Sequence, residues 1–350
     1  MLALIYISIA ATLIAIAFVI ALRPLAVRLG LVDRPDGRKT HAGEVPLIGG
    51  PILWLIIAIG SIFSPAGFPW VFIILALGIV IIGGMDDRKP LSPTIRLVIQ
   101  ITLALLLVLN QGNHLHDIGV FHSYYNVENL YPVHVGVAVF AILVSVNAFN
   151  FIDGIDGLSA SMALLAVTHL NMTYNLIGLQ QNATILFYSV ILIGALSGFL
   201  LFNLQVFNGR KIFLGDSGAM FIGFAIAVTL LAVSQSDYRN TGTIPAALCL
   251  WMIALPLTDM TTIIVRRLAS RRSPLEPDRR HLHHILMQAG FSQRRTLLVM
   301  ILSAMGAFWI GYAVFNYFGE AASIASFFIF MPVYYLTILR VDRVVAFLRD

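Results

Sequence analysis

The sequence predicts an all-α polytopic membrane protein with about eleven transmembrane helices, and three observations carry that prediction. Hydrophobic side chains make up 59% of the 350 residues and charged ones only 11%, less than half the roughly 25% of soluble domains. Mean hydropathy is +0.89, more apolar surface than one water-soluble core of this size can hide. Apolar runs of about 20 residues recur along the whole chain, each long enough to cross ~30 Å of hydrocarbon as a helix.

In order, the expected spans are 2–22, 48–64, 69–85, 94–110, 133–151, 158–178, 184–202, 217–234, 243–265, 296–316 and 321–339. Helix is required because each backbone amide must find its partner within the segment where no water is available. The second and third spans are short and joined by Ser-Pro-Ala-Gly-Phe-Pro (64–69), which reads as a tight hairpin. Spans five and six are separated only by 152–157, a polar turn. The whole chain, 1–350, reads as a single integral-membrane domain with its chemistry in loops near 23–47, 86–93, 152–157, 203–216 and 266–295.

Charge orients these spans. Alternate loops, with the C-terminal tail, hold 21 of the 22 Lys and Arg, and the opposite side holds only Arg239. Excess positive charge stays cytoplasmic, so the N-terminus is expected outside and the C-terminus inside, the parity of eleven spans. The net charge of +5 therefore has a membrane explanation, and nucleic acid is not an expected partner. A single cysteine, Cys249, excludes an intramolecular disulfide and a Cys-based zinc site. The first basic residue, Arg23, follows the first apolar run, so no cleavable signal peptide is expected.

Acidic residues are more informative, because the positive-inside tendency does not place them. Twelve of the 17 fall on the predicted cytoplasmic side, several at span ends. Asp86 and Asp87 close span three, where two adjacent carboxylates repel unless a cation or proton relieves them. A hard divalent ion such as Mg²⁺ suits the pair; an ordinary helix C-terminal flank would favour Lys or Arg. Asn147, Asn150 and Asp153 are spaced by three and can line one helix face, with Asp156 beyond Gly154. They read as ligands for a metal, a nucleobase or a sugar, with a structural polar turn as the plainer alternative.

Asn203 and then Lys211-Ile-Phe213-Leu-Gly-Asp216-Ser-Gly lead into span eight. Asp216 reads as a helix cap or as a metal ligand beside a phosphate held at the helix N-terminus. The loop 266–295 brings eight Arg together with His281, His283 and His284, a donor-rich surface for phosphates. Its histidines lack the i, i+4 spacing of a zinc helix, and a basic segment lying on anionic lipid is the alternative. The basic stretch 34–50, with Lys39 and His41, reads as a loop folding back into span two. Asp259 lies inside span nine, where an ionisable group is a functional candidate unless it pairs with a neighbouring Arg.

Carboxylates for Mg²⁺, cations for phosphates and a place at the hydrocarbon boundary suit phosphoryl transfer between a soluble diphosphate and a lipid phosphate. Gly-Met-Asp86-Asp87-Arg88, Asn147-Ala-Phe-Asn150-Phe-Ile-Asp153-Gly-Ile-Asp156-Gly-Leu, Phe213-Leu-Gly-Asp216-Ser-Gly and Pro277-Asp-Arg-Arg-His281-Leu-His283-His284 strongly resemble the motifs of the polyprenyl-phosphate N-acetylhexosamine-1-phosphate transferases. The ordered likeness runs from about Gly30 to Phe291. The Arg-His-Leu-His-His form is similar to the bacterial branch that uses undecaprenyl phosphate and UDP-N-acetylglucosamine, and departs from the three consecutive histidines of the muramoyl-pentapeptide branch.

The resemblance implies transfer of N-acetylglucosamine-1-phosphate from UDP-N-acetylglucosamine to undecaprenyl phosphate, releasing UMP, as the first membrane step of a cell-surface polysaccharide. It implies an enzyme of the bacterial inner membrane with its site on the cytoplasmic face, using Mg²⁺ with Mn²⁺ as a substitute. By the same likeness Asp216 is the principal metal ligand, with Asn150 and the Asp86–Asp87 pair close to the ion. Asp86 accepts a proton from the lipid phosphate or orients it. Asp153, Asp156, Asn203 and Phe213 hold the uridine, with Asn147 as a further substrate ligand; His281, His283, His284, Arg279 and Arg280 face the diphosphate or sugar. Direct attack on the sugar-bearing phosphorus and a route through an aspartyl-phosphate both stay open, as does a homodimer. The rivals are the same chemistry on another UDP-N-acetylhexosamine, a lipid-binding scaffold, and a transporter, which would place its charges near the midplane.

Overall fold

The computed structural model describes residues 2–34, 43–64, 70–111, 131–179, 182–207, 209–235, 243–273 and 281–347. Lys39, His41, Arg239, Arg279, Arg280 and the 65–69 part of the expected hairpin lie outside them. The described chain is helical apart from one short strand pair. In order it forms α1 (Leu2–Arg28), β1 (Val32–Asp33), β2 (Val45–Pro46), α2 (Gly49–Ile62), α3 (Trp70–Arg88) and α4 (Pro93–Gln111). Then come α5 (Tyr131–Ile152), α6 (Leu158–Leu176), α7 (Ala183–Asn203), α8 (Gly215–Ser234), α9 (Ala246–Met252), α10 (Ala254–Ala269), α11 (Leu282–Gln288) and α12 (Gln293–Phe347).

Every apolar run contains helix, as a multi-pass membrane protein requires, but the number of spans differs from the sequence reading. Among the described residues seven helices are long and apolar enough to cross a membrane, or eight if α9 and α10 count as one span bent by 75°. α2, α6 and the counting of α12 as one element separate the two numbers. α2 has 14 residues, about 21 Å at 1.5 Å per residue, shorter than the hydrocarbon layer. α6 carries His169, Asn171, Thr173 and Asn175 in its second half. The last two runs lie together in α12, which is two helices meeting at Gly319, whose φ of 84° and ψ of −179° lie outside any helix.

Burial sets the layers. In the apolar window of α8, 83% of residues are buried, against 17% for α1, so α8 is central and α1 peripheral. Small residues allow the close approaches, as in other membrane bundles. A Cβ on Gly50 of α2 would lie 2.6 Å from the Ser217 carbonyl carbon, and one on Gly83 of α3 2.4 Å from Ser217 Cα. The start of α8 is therefore clasped between two glycines. On its other side Gly223 meets the Ser145–Val146 backbone of α5.

No periodicity in the sequence marks the short strand pair that the structure contains. Val32 pairs with Pro46 and Asp33 with Val45, antiparallel. The chain then joins the stretch before α8: Phe213 N–H donates to Pro46 O at 2.8 Å, and Gly49 N–H to Phe213 O at 3.1 Å. Arg88 Nη2 at the end of α3 donates to Leu29 O at 2.9 Å. The first basic loop is thus fastened to two of the acidic motifs.

Candidate active site

A cavity of about 690 Å³ opens where α3, α5 and α7 end and α8 and α11 begin. Asp86, Asp87, Asp153, Asp156, Asn203, Phe213, Asp216 and His284 all line it, residues drawn from four separate sequence motifs. Asn150 stands beside it, donating Nδ2 to Asp216 Oδ1 at 2.8 Å.

Asp87 is held by the start of α8. Its Oδ1 accepts from Asp216 N–H at 2.8 Å and its Oδ2 from Ser217 N–H at 3.2 Å. It therefore fills the positive end of that helix and satisfies two otherwise orphaned donors. The sequence suggested Asp216 as the cap, or a phosphate at this N-terminus; in the structure Asp87 takes that place from another helix. Gly215 makes this geometry available: its φ is +70°, and a Cβ there would lie 2.6 Å from Asp87 Oδ2. Asp216, released from capping, turns its carboxylate toward Asn150.

Asp86 is buried at 8% exposure. It accepts Leu91 N–H at 2.7 Å and is clamped by the Arg96 guanidinium. Arg96 also reaches to 3.9 Å from Asp216 Oδ2, linking the two carboxylates. On the far wall Lys211 Nζ donates to Asp156 Oδ2 at 2.6 Å and lies 4.7 Å from the centre of the Phe213 ring. Asn203 donates Nδ2 to Ile212 O at 2.9 Å, fixing the stretch that carries Phe213.

The turn between α5 and α6 is tight. Gly154 N–H donates to Ile152 O at 2.8 Å, and Gly157 closes the turn with φ of 76°. This aims Asp153 and Asp156 into the cavity. Burial, and then the carboxylates of Asp216, Asp87 and Asp156, hold the Asp153 carboxyl well above the usual carboxylate range.

Other residues singled out in the sequence stand elsewhere. Asn147 faces α4, donating to Gln100 Oε1 at 2.9 Å and to Leu143 O at 2.8 Å. His281 is turned to Asp259, its Nδ1 2.7 Å from Oδ2. His283 is fully buried, with both ring nitrogens lacking a hydrogen-bond partner among the described residues. Burial and then His284 push its ring down to about 3, against a smaller opposing pull from Asp259. Arg279 and Arg280 lie outside the described residues. Of the three histidines, only His284 lines the cavity.

Arg96, Lys211 and Asp33 were not assigned roles from the sequence. Arg96 had a signal: it is the one charge within the run 94–110, near its basic end. Lys211, two residues before Phe213, was legible as a phosphate-binding cation. Asp33 enters the cavity through the strand pair, which no periodicity announced.

The donor set fits a divalent cation. Six carboxylates line the cavity with one lysine, and Arg96 bonds to one of them. Such a cavity repels a diphosphate unless a cation enters with it. Among the described residues no three acidic, His or Cys side chains converge at metal-binding distance. A Mg²⁺ ion would need only one or two of these carboxylates, with water and substrate phosphates completing its shell.

Comparison with known proteins agrees with this arrangement. The glycosyl transferase family 4 model matches residues 69–234, from α3 to α8. The undecaprenyl-phosphate alpha-N-acetylglucosaminyl 1-phosphate transferase of Yersinia pestis is 32% identical over 343 residues, covering 96% of this chain and 92% of that protein. The protein of the same name from Escherichia coli K12 is 33% identical over 291 residues, covering 82% and 77%. That of Pasteurella multocida is 31% identical over 341 residues, covering 94% and 91%. With a match across nearly the whole of both chains, this chain belongs to the family of these 1-phosphate transferases, glycosyl transferase family 4.

Proposed function

We propose that the protein transfers N-acetylglucosamine-1-phosphate from UDP-N-acetylglucosamine to undecaprenyl phosphate, giving undecaprenyl-diphospho-N-acetylglucosamine and UMP. In this reading the cavity faces the cytoplasm from a bacterial inner membrane, with the N-terminus outside and the C-terminus inside, and Mg²⁺ or Mn²⁺ is required. The observation that carries it is one cavity at the ends of apolar helices where Asp87, Asp153, Asp156 and Asp216 meet Arg96 and Lys211. The names of the relatives supply the acceptor and the group transferred.

Asp216 would be the foremost ligand for the cation, with Asp87 and Asp153 beside it, and Asn150 steadies Asp216. Bound there, Mg²⁺ would neutralise phosphate charge and polarise the phosphorus under attack. An oxygen of the lipid phosphate attacks the sugar-bearing phosphorus; the bond from that phosphorus to the bridging oxygen breaks, and UMP leaves with the oxygen. Lys211 and Phe213 present a cation and an aromatic face to the nucleotide, while Asp156 holds Lys211 in place. Arg96, fixed by Asp86, faces the phosphates beside Asp216 as a planar donor fork. Asp86 is thereby an orienting group, because its oxygens are already engaged by Arg96 and Leu91 N–H. His284 enters the cavity from α11.

The test is UMP release by purified protein with Mg²⁺ and UDP-N-acetylglucosamine, with and without undecaprenyl phosphate, beside an Asp216→Ala variant. Lipid-dependent UMP that vanishes in the variant and on chelation is expected. Release only with another UDP-N-acetylhexosamine changes the sugar. A stoichiometric burst without lipid replaces direct attack by a covalent route, and silence with every donor from folded protein overturns the reading.

A further inference from the structure

Asp259 is an ionisable residue within the apolar α9–α10 segment, six residues beyond the break at Ile253 in the bent pair. It is fully buried. Rather than a neighbouring arginine, three donors from distant parts of the chain meet its carboxylate. His281 Nδ1 lies 2.7 Å from Oδ2. Leu282 N–H donates to Oδ1 at 3.3 Å, and the Tyr334 hydroxyl of α12 donates to the same oxygen at 3.2 Å. An ionised carboxylate only accepts, so this arrangement puts a proton on His281 Nδ1.

These contacts sit at the base of α11. His281 is the extended residue before the helix (φ −66°, ψ 152°), with no side-chain cap of its own. Leu282 is the first residue of α11, so Asp259 satisfies one of the helix's orphan donors from another helix. The next two residues meet the cavity's supporting turn and the cavity itself. His283 packs on the 153–157 turn, where a Cβ at Gly154 would fall 2.0 Å from its Nε2. His284 lines the cavity itself.

We infer that Asp259 is a positioning residue: with Tyr334 behind it, it anchors His281 and the start of α11, and so seats His284 in the cavity and His283 on the turn that carries Asp153 and Asp156. His281 acts through its Nδ1–H as an anchor, not by touching the substrates. The inference rests on the reading of the cavity as the transfer site, since His284 is taken to meet the nucleotide sugar's diphosphate or sugar.

The experiment compares His281→Ala with His281→Asn, whose amide nitrogen takes nearly the place of Nδ1 and donates to Asp259 without an imidazole. Anchoring predicts that the Asn variant recovers most of the activity that the Ala variant loses; equal loss in both would mean the imidazole itself serves the reaction, and overturns the inference. Asp259→Asn is expected to lower kcat by about ten- to a hundredfold, the scale of an ångström-sized misplacement. In an Asp259→Asn, His284→Ala double variant the losses should not multiply, because the first acts through the second. Multiplying losses would refute that route. Tyr334→Phe, which removes only one donor, gives a smaller loss and covers the case in which Asp259→Asn does not fold. Calorimetric binding of UDP-N-acetylglucosamine across the same panel needs no turnover. If the wild type binds but never turns over, the transfer reading fails alone; if binding survives His281→Asn and falls with His281→Ala, the anchor still stands.

Discussion

Gly83→Ala is a test of how the site is held together. Gly83 and Asp87 lie one helical turn apart on the same face of α3. The glycine lets α8 approach and the aspartate caps it. A methyl group at 83 would lie 2.4 Å from Ser217 Cα, 2.5 Å from Ser217 N and 2.8 Å from the Asp216 carbonyl carbon. All three are backbone atoms, so no rotamer change relieves the clash. Ordinary contact begins at 3.4 Å, and α3 and α8 must separate locally by about 1 Å to reach it. The bonds from Asp216 and Ser217 N–H to Asp87, 2.8 and 3.2 Å long, would then exceed the usual hydrogen-bond range. Overpacking of this kind costs about 1–3 kcal/mol.

The effect on turnover should be larger than the effect on folding, because Asp216 moves with the start of α8. A displacement of about 1 Å at reacting groups lowers kcat on the order of 10²-fold. Lipid-dependent UMP release and the thermal midpoint in detergent read the two effects. Gly84→Ala is the control: nothing lies within 4 Å of a Cβ there, and the same substitution in a helix should stabilise by about 0.4–1 kcal/mol. If Gly83→Ala kept the wild-type rate and melting midpoint, the clasp on α8 would not be what positions Asp87 and Asp216.

Three further outcomes are expected. Arg96→Ala should lower kcat by about 10²–10³-fold, as loss of a preorganised donor does, with Arg96→Lys intermediate because the fork is lost and the charge kept; unchanged kcat in UMP release would remove Arg96 from the site. Lys211→Ala should raise the KM for the nucleotide sugar about tenfold, a loss near 1.4 kcal/mol, with kcat changing less; an unaltered KM would leave Lys211 as a partner of Asp156 only. His283, held down at about 3 against about 6.5 when solvated, binds a proton more readily unfolded than folded. Its contribution to stability is complete above pH 6.5 and is lost progressively toward pH 3, by about 2 kcal/mol at pH 5. The melting midpoint of the wild type should therefore fall more between pH 7.5 and 5 than that of His283→Gln; parallel slopes would refute it.

The helical membrane class was legible because hydropathy is a bulk property, which needs no tertiary information. The number of spans was harder to read. α2 is short, α6 turns polar in its second half and α9–α10 bends, and how far each crosses depends on packing as well as on the apolar run. The carboxylates that meet in the cavity were legible because acidic residues at the ends of apolar runs have no topological purpose. The histidines of the 281–284 motif were harder to separate. A spacing of one and two residues on a short helix sends its side chains three ways, to Asp259, to Gly154 and to the cavity. Nothing local distinguishes those directions. Asn147 illustrates the same limit: its i, i+3 relation to Asn150 suggested one face, yet α4 takes Asn147 and Asp216 takes Asn150.

The pairing of charges in the cavity follows from what it must accept. Arg96 is held by Asp86 and Lys211 by Asp156, so each of these two cations has a carboxylate partner. Two partly buried guanidinium or ammonium groups left unpaired would cost several kcal/mol in desolvation; paired, they stay in place with their side chains already ordered. An entering diphosphate can share those donors without reorganising the wall, provided that a divalent cation offsets the remaining aspartates. Asp87 plays the corresponding part for the backbone, satisfying the start of α8 so that the position of Asp216 is fixed before any ligand arrives. Preorganisation of this sort places the energetic cost in folding rather than in the transfer step. It also explains why the supporting glycines, Gly50, Gly83 and Gly215, lie beside the charged residues: the closeness that orders the carboxylates leaves no room for a Cβ.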